Sequence, residues 1–402
     1  MKAVVWRKPR DIRVEKVPDP HLEQPTDAIV KVTTTAICGS DLHLYGKVIP
    51  GMLPGDILGH EAMGLVEEVG PEVRHLRPGD RVVVPFNIAC GRCYMCQHGM
   101  PTQCETTQNR VFRKGASLFG YTHLYGGVAG GQAEYLRVPM AHYGPFKVDA
   151  SIPDRLAVLL ADVLPTAWQA VEYADVLPGG SVAVFGLGPI GQVAAQLALE
   201  RGAGLVIGVD RVPERLRMAQ RHGVRTIDFS GVTDVRRLIH EMTQGRGADS
   251  VIEAVGMEAA GSTLDSVLHA TKVLADKLHA LRLATRSVRR GGTLSISGVY
   301  LGWYPAFLIG DLFDRQITIR MGQANVRRWT DAILAQLAAG SPVGKDLVTH
   351  EMPLDQAPRA YEMFQKKLDG AVKVILHPDG TAAPTPPEED KAGGATSPSG
   401  GG

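Results

Sequence analysis

The stretch Ser181-Val-Ala-Val-Phe185-Gly186-Leu-Gly188-Pro189-Ile190-Gly191 decides the fold. Ser181–Phe185 is short, apolar and uncharged, the pattern of a buried strand. Pro189–Arg201 is rich in Ala and Leu and opens on proline, the pattern of a helix. Between them lies G-x-G-x-x-G. In that setting Gly186 permits the tight turn, Gly188 lets the backbone approach a pyrophosphate, and Gly191 lets the helix pack on the strand. The helix N-terminus, with Pro189 and Ile190 as its first residues, turns N–H groups and a positive dipole end toward phosphates. Asp210, nineteen residues past Gly191, ends the next strand in Val-Ile-Gly-Val-Asp. A carboxylate there accepts both adenosine ribose hydroxyls and repels a 2′-phosphate, so the expected cofactor is NAD rather than NADP. Arg211 could instead hold a phosphate; the preferred reading stacks it on adenine or leaves it solvated. A bare β-α turn without ligand is the plain alternative to the whole motif.

Outward from this point, strand patterns (Leu205–Val209, Ser250–Ala254, Thr293–Ser297) alternate with helical ones such as Pro213–His222. Such alternation means a parallel sheet with crossover helices. Before about residue 155 the pattern differs. Short β-branched runs, Ala28–Thr34, Met63–Val69 and Arg81–Pro85, are separated by Pro-Gly and Gly-Asp turns. The expected class is therefore α/β: a β-rich domain joined to a doubly wound parallel one. The expected boundaries are 1–163 for the β-rich domain, 164–320 for the doubly wound domain, 321–378 for a return segment of the first, and 379–402 for a disordered tail. Thr381–Gly402 is Pro, Gly, Ser, Thr and Ala with one acidic group and cannot bury apolar surface. Between Gly256 and Gly291 lie 34 residues, with a helical pattern over Val267–Arg289. That is roughly twice what one crossover helix needs, so an insertion near the cofactor edge is expected. No internal repeat is visible.

Composition narrows the class. Of 402 residues 44% are hydrophobic and 21% charged, a globular profile with material for a core. Lys and Arg number 43 against 42 Asp and Glu, which gives no reason to expect nucleic acid or an anionic membrane as partner. No apolar run suits a signal peptide or a spanning helix. Five cysteines do not make a disulfide scaffold, and a reducing, cytoplasmic compartment is expected.

Four of those cysteines, Cys90, Cys93, Cys96 and Cys104, fall within fifteen residues as C-x2-C-x2-C-x7-C. Four thiolates suit a closed tetrahedral zinc site that ties down a loop, with no position open for substrate. An iron–sulfur cluster is the alternative. The fifth cysteine opens Cys38-Gly-Ser40-Asp41-Leu-His43, and Gly59-His60-Glu61 follows. A lone cysteine or histidine is more often structural than a ligand, but beside a nucleotide fold and a separate four-cysteine lobe the pair reads as a second metal site.

These motifs, in this order, resemble the zinc-containing medium-chain alcohol dehydrogenase family, from Met1 to about Pro378. Gly120-Tyr-Thr-His-Leu-Tyr-Gly-Gly, Gly130-Gly-Gln-Ala-Glu-Tyr and Asp162-Val-Leu-Pro-Thr166 are similar to its formaldehyde dehydrogenase-like branch, the glutathione-independent type, as is the insertion after Gly256. The resemblance implies a GroES-like catalytic domain beside a Rossmann NAD-binding domain, and two zinc ions per chain, one catalytic and one structural. It implies Cys38, His60 and Asp162 as catalytic zinc ligands. Many relatives carry cysteine at the third position, and the plain alternative for Asp162 is a helix N-cap. Two anionic ligands keep the ion's surroundings near neutral, and aspartate makes the site harder. Asp41 is implied to orient His60, and Glu61 to approach the metal during exchange. Ser40 and His43 match a proton relay from the substrate hydroxyl. Gly39 stands where some relatives carry a pyrophosphate-binding arginine. His123 and Trp168 are candidates for the substrate cleft, and His75, His98, His222 and His240 are read as surface residues.

The implied activity is hydride transfer from a small alcohol or aldehyde hydrate to NAD. A polyol or threonine dehydrogenase is the rival within the family. A non-catalytic NAD-binding module is the rival outside it. Relatives form dimers or tetramers, so a homo-oligomer is expected.

Overall fold

The protein is described by a computed structural model covering residues 1–46, 49–232, 234–256, 279–300 and 308–380. The fingerprint strand Ser181–Phe185 stands in the middle of a six-stranded, wholly parallel sheet. On one side of it lie Leu205–Asp210 and Arg225–Asp228; on the other lie Ala248–Glu253, Val288–Ile296 and Thr318–Met321. The chain leaves Ser181–Phe185 in one direction and later returns to its other side. The Gly186 loop therefore opens where the strand order reverses, the crevice in which such sheets take ligands. Gly186 adopts φ +86°, and a Cβ on Gly191 would fall 1.8 Å from the Gly186 carbonyl oxygen. Both glycines are thus required by space and not only by habit.

The helix predicted over Pro189–Arg201 forms over Pro189–Glu200 and buries its Val193, Ala194, Leu197 and Ala198 face on the sheet. One expected boundary is corrected. The helical pattern read through Arg289 stops at Ser287, and the strand expected from Thr293 starts at Val288. Val288 pairs with Ala248 across a bulge, and Arg289 Nε reaches Asp249 at 2.6 Å. Sheet pairing and this ion pair outweigh the local helical preference. The rest of the insertion read after Gly256, and the tail from Thr381, lie outside the described residues.

The second sheet has seven strands, six along its main path and one, Tyr135–Val138, pairing with its centre off that path. Its long centre, Ala28–Ile37, pairs antiparallel with Glu61–Val69, which pairs in turn with Arg81–Val84. The far end of the chain joins it: Val374–His377 pairs antiparallel with Ala28–Ile37, setting Val374 opposite Ile37. Cys38 follows Ile37, so this register carries residue 373 to the edge of the Cys38 loop. A hairpin, Lys2–Lys8 with Asp11–Lys16, stands apart from both sheets. The architecture is a GroES-like β-rich unit beside a Rossmann sheet.

Candidate metal centre and nucleotide loop

Cys38 follows the last residue of the long strand and caps the helix Gly39–Tyr45. Asp41 folds back so that its Oδ2 accepts the Cys38 N–H at 3.0 Å, a capping-box arrangement. Its other oxygen lies 3.0 Å from His60 Nδ1. One buried carboxylate therefore closes the helix start and fixes the ring that faces it. Gln132 Nε2 approaches the same carboxylate at 3.4 Å, and the Tyr361 hydroxyl donates to Gln132 Oε1 at 2.8 Å.

His60 enters through a tight turn. Gly59 has φ +98°, and a Cβ on Gly120 would fall 2.4 Å from the Gly59 nitrogen. The Gly59-His60-Glu61 motif and the Gly120 stretch are thus pressed together. Tyr121 and Phe86 meet the imidazole edge-on, with centroids 6.2 and 6.4 Å away. Fixed on these sides, His60 directs Nε2 at the remaining groups.

Those groups converge. His60 Nε2 lies 3.6 Å from Asp162 Oδ2 and 3.3 Å from Ser40 Oγ, and Cys38 Sγ lies 3.5 Å from the same Asp162 oxygen. Asp162 does precede the helix Val163–Ala174, but its side chain makes no cap bond there; its other oxygen accepts from the Thr166 hydroxyl at 2.6 Å. The capping alternative is therefore not what this carboxylate does. Donor atoms of Cys38, His60, Glu61 and Asp162 all lie within 4.8 Å of one another. Burial and the carboxylates of Asp162 and Glu61 push the Cys38 thiol up to about 11. Burial disfavours the His60 cation, yet Asp41, Asp162 and Cys38 hold the ring well above the ordinary imidazole value. Three buried carboxylates and a thiol crowd one small volume, a donor set that a divalent cation satisfies.

Lys373 is the residue of this cluster that sequence reading missed. It is fully buried, as is Glu61, and its Nζ lies 2.7 Å from that carboxylate and 3.1 Å from the Ile37 carbonyl. Burial works against the ammonium, but Glu61 and Cys38 raise its pKa above the usual lysine value, so it stays charged. Lysine is almost never buried unpaired, and only the return strand brings this one here. Ser40 and His43 sit three apart on the short helix and so share a face. His43 is buried. Neither remaining cleft candidate joins the cluster. His123 is exposed beside Asp56, while Trp168 faces Leu197 and Ile333 with the Arg201 guanidinium over its ring. His75 and His98 are exposed as expected, whereas His222 and His240 are half-buried.

The four-cysteine lobe is a separate cluster. Its sulfurs lie within 4.8 Å of one another, and Cys93 and Cys104 are 3.9 Å apart. A tetrahedron with zinc–sulfur arms of about 2.3 Å has edges of about 3.8 Å, so one ion fits and an iron–sulfur cluster does not. Backbone N–H groups point at the sulfurs: Cys93 N–H to Cys90 Sγ and Cys90 N–H to Cys104 Sγ, both 3.3 Å. Burial opposes ionisation of Cys90, but the Thr106 hydroxyl and the N–H groups of Arg92 and Cys93 bring its thiol down to about 6. All five cysteines are unbridged.

At the nucleotide loop, Asp210 is buried. Its Oδ2 accepts the Leu187 N–H at 2.7 Å, and Oδ1 accepts those of Arg211 and Val212 at 2.7 and 3.0 Å. The Arg211 side chain is exposed. Arg215, which sequence reading did not single out, is buried with Nη1 3.7 Å from Asp210, and it borders Gly188. Beyond the loop, buried Glu253 accepts the N–H groups of Val255 and Gly256 at 3.0 and 2.8 Å, fastening the turn that follows its own strand at this edge.

The chain matches two family descriptions: "Alcohol dehydrogenase GroES-like domain" over residues 24–148 and "Zinc-binding dehydrogenase" over residues 189–275. It is 41% identical over 381 residues to an uncharacterised zinc-type alcohol dehydrogenase-like protein of Bacillus subtilis, covering 94% of this chain and 100% of that one. It is 34% identical to the formaldehyde dismutase of Pseudomonas putida, covering 94% of this chain and 98% of that one. Among solved structures, an alcohol dehydrogenase from Thermus sp. ATN1 superposes with a TM-score of 0.80 at 37% identity, covering 94% of this chain and 99% of that one. With a GroES-like sheet, a Rossmann sheet and two clusters that fit zinc, the chain belongs to the zinc-type medium-chain alcohol dehydrogenase family and is an oxidoreductase of that kind.

Proposed function

We propose that the chain is an NAD-dependent dehydrogenase of the formaldehyde type, acting on a small primary alcohol or an aldehyde hydrate. The observation that carries this reading is the convergence of Cys38, His60 and Asp162 with Ser40 beside them. Aspartate at the third ligand position and the likeness to the Pseudomonas putida formaldehyde dismutase support the substrate class. A glutathione-independent formaldehyde dehydrogenase of Pseudomonas aeruginosa, 30% identical over 90% of this chain, supports it further.

In this reading Cys38, His60 and Asp162 hold the catalytic zinc, and Cys90, Cys93, Cys96 and Cys104 hold the structural one. Bound zinc supplies Lewis acidity to the substrate oxygen, and bound NAD accepts the hydride. Asp41 keeps His60 in the tautomer whose Nε2 faces the site. Ser40 takes the hydroxyl proton, and His43 on the same helical face carries it outward. Lys373 holds Glu61 aside. Gly186, Gly188, Pro189, Ile190 and Gly191 cradle the pyrophosphate, Asp210 faces the adenosine ribose with Arg211 outside it, and Arg215 adds a buried cation beside the loop.

Residues 1–163 and 321–378 form one catalytic unit in this reading, supported by the pairing of Val374–His377 with Ala28–Ile37. Exposed Ile309, Phe313 and Met321 beside the edge strand Thr318–Met321 favour a homo-oligomer. Five unbridged cysteines favour the cytoplasm, and no described helix is long and apolar enough to cross a membrane.

The test incubates the purified protein with formaldehyde, with and without added NAD, and quantifies NADH, formate and methanol. NADH and formate that require added NAD support the dehydrogenase. Equal formate and methanol without it support a second reading, a dismutase that recycles a retained cofactor, for which the Pseudomonas putida relative is the motive. No product in either arm would sink the formaldehyde assignment and turn the search to longer alcohols and polyols.

A further inference from the structure

Charges on this chain nearly cancel, 43 against 42, but they are not evenly spread. The stretch from His279 to Arg290 carries Arg282, Arg286, Arg289 and Arg290 and no carboxylate. The fold brings three of these together with Arg236, Arg246 and Arg315 around a cleft of about 1070 Å³, where half-buried His240 also lies. The cleft sits at the edge where Ala248–Glu253 and Val288–Ile296 begin. Asp249, on its wall, accepts the N–H and hydroxyl of Ser181, the first residue of the fingerprint strand, at 2.8 and 2.6 Å. The Gly186 loop leaves the other end of that strand. At about 3.3 Å per residue, the two edges are separated by most of the sheet's height. This cleft is therefore not part of the nucleotide crevice.

Half of the arginines are already balanced and anchored. Arg289 pairs with Asp249 at 2.6 Å, Arg290 with Asp314 at 3.0 Å and Arg315 with Asp311 at 2.6 Å. Arg315 also donates to the carbonyls of Val288 and Thr285 at 2.9 and 2.8 Å, and Arg290 to that of Asp314 at 2.9 Å. The other half are not balanced. Arg236, Arg246 and Arg286 are exposed, and none has a carboxylate within ion-pair distance among the described residues; Arg246 reaches only the neutral Gln244 amide at 2.9 Å. Three uncompensated guanidinium groups thus stand around a wall held rigid by the other three. Even with Asp249 and Asp311 on its wall, a concave site with a net excess of one charge sign focuses its field on a small counter-ion. Guanidinium forks match phosphate oxygens two at a time, which a carboxylate offers only once and a halide not at all. The volume suits a nucleotide-sized molecule.

We propose that this cleft binds a phosphate-bearing small molecule with three or more negative charges, its polyphosphate gripped by Arg236, Arg246 and Arg286. The proposal does not depend on the dehydrogenase reading. Inorganic tripolyphosphate and a nucleoside triphosphate share the recognised chemistry and serve as the two probes. Each is titrated calorimetrically into the intact, zinc-loaded chain with NAD present in excess to occupy the other phosphate site. The comparison protein is the R236A/R246A/R286A variant, whose substitutions are all on the surface and whose zinc content and turnover are expected to be unchanged. One site per chain is expected, weakened at least tenfold by the three substitutions and weakened again between 50 and 200 mM salt. Tighter binding of the nucleoside triphosphate would identify a base-recognising site, and equal binding a site for the phosphates alone; both support the proposal. It is overturned if tripolyphosphate fails to bind at low salt, if the variant binds as well as the parent, or if a DNA duplex binds through these arginines and displaces both small probes.

Discussion

The two metal-ligating clusters are built in opposite ways. The cysteine lobe draws all four sulfurs from fifteen consecutive residues, and its own backbone N–H groups point at them. The Cys38 cluster draws on residues 38, 60, 61 and 162, and its compensating charge comes from residue 373. The lobe turns dipoles toward sulfur and brings Cys90 down to about 6; the other surrounds sulfur with buried acids and pushes Cys38 up to about 11. The local cluster has one thiol, Cys90, prepared as thiolate before the metal arrives, while burial and the neighbouring sulfurs push Cys96 up. A cluster assembled from distant segments depends on the metal, and on a buried lysine, to tolerate its own charge.

The sharpest test of that contrast is alkylation. In metal-stripped protein at pH 7, a thiol near 6 is mostly thiolate while one near 11 is ionised in roughly one molecule in 10⁴. Iodoacetamide should modify Cys90 long before Cys38, as peptide mass spectrometry would reveal. Raising the pH to 9 should speed Cys38 about a hundredfold and leave Cys90 nearly unchanged, because Cys90 is already ionised. Equal rates at pH 7 would erase the distinction.

Substitution of a ligand separates the two functions. Asp162→Ala is expected to lower turnover on the order of 10³-fold, since several kcal/mol of charge stabilisation are lost with the metal. Zinc should fall from two ions per chain to one, the lobe retaining its own. Loss of both ions would mean that the lobe is not independent.

Lys373→Met leaves Glu61 as a buried charge without its partner, at a cost of about 3–5 kcal/mol. Adding Glu61→Gln should restore most of it, read as denaturant midpoints of the zinc-loaded proteins. A single variant as stable as the parent would show that Lys373 is not what compensates Glu61. The smallest effect is expected from Asp41→Asn. Zinc affinity at the Cys38 cluster should drop about 10- to 100-fold in chelator competition, with the lobe unaffected. An unchanged affinity would remove Asp41 as the group that orients His60.

Much of this was legible before any coordinates. Strand, glycine loop and helix over Ser181–Glu200 lie within a residue of their expected bounds, because a buried parallel strand and the turn after it constrain residue type at nearly every position. The lobe was legible because its spacing is local. Besides Lys373 and Arg215, other features were misread or not foreseen. Val288 and Arg289 read as helix because their partners Ala248 and Asp249 lie some forty residues away. Trp168, offered as a cleft candidate, packs toward Leu197 and Ile333, because neighbouring helices and not its own sequence decide which face is covered. The arginine cleft was hidden by a net charge near zero, since a total carries no information about where charges gather.

The sequence by itself determined the parallel nucleotide sheet, the glycine loop, the acid at Asp210 and the four-sulfur lobe. Each rests on contacts between residues close in the chain, or on backbone conformations that only certain residues adopt. The family resemblance implied Asp162 beside Cys38 and Asp41 on His60; only the tertiary structure decided that the Asp162 side chain leaves its helix uncapped, that Asp41 serves the helix cap as well as His60, and that Lys373 closes the site. Those are long-range matters of charge. A buried carboxylate is tolerated only where a partner meets it, and that partner came from the residue that leads into the last described strand, more than 300 residues from Glu61.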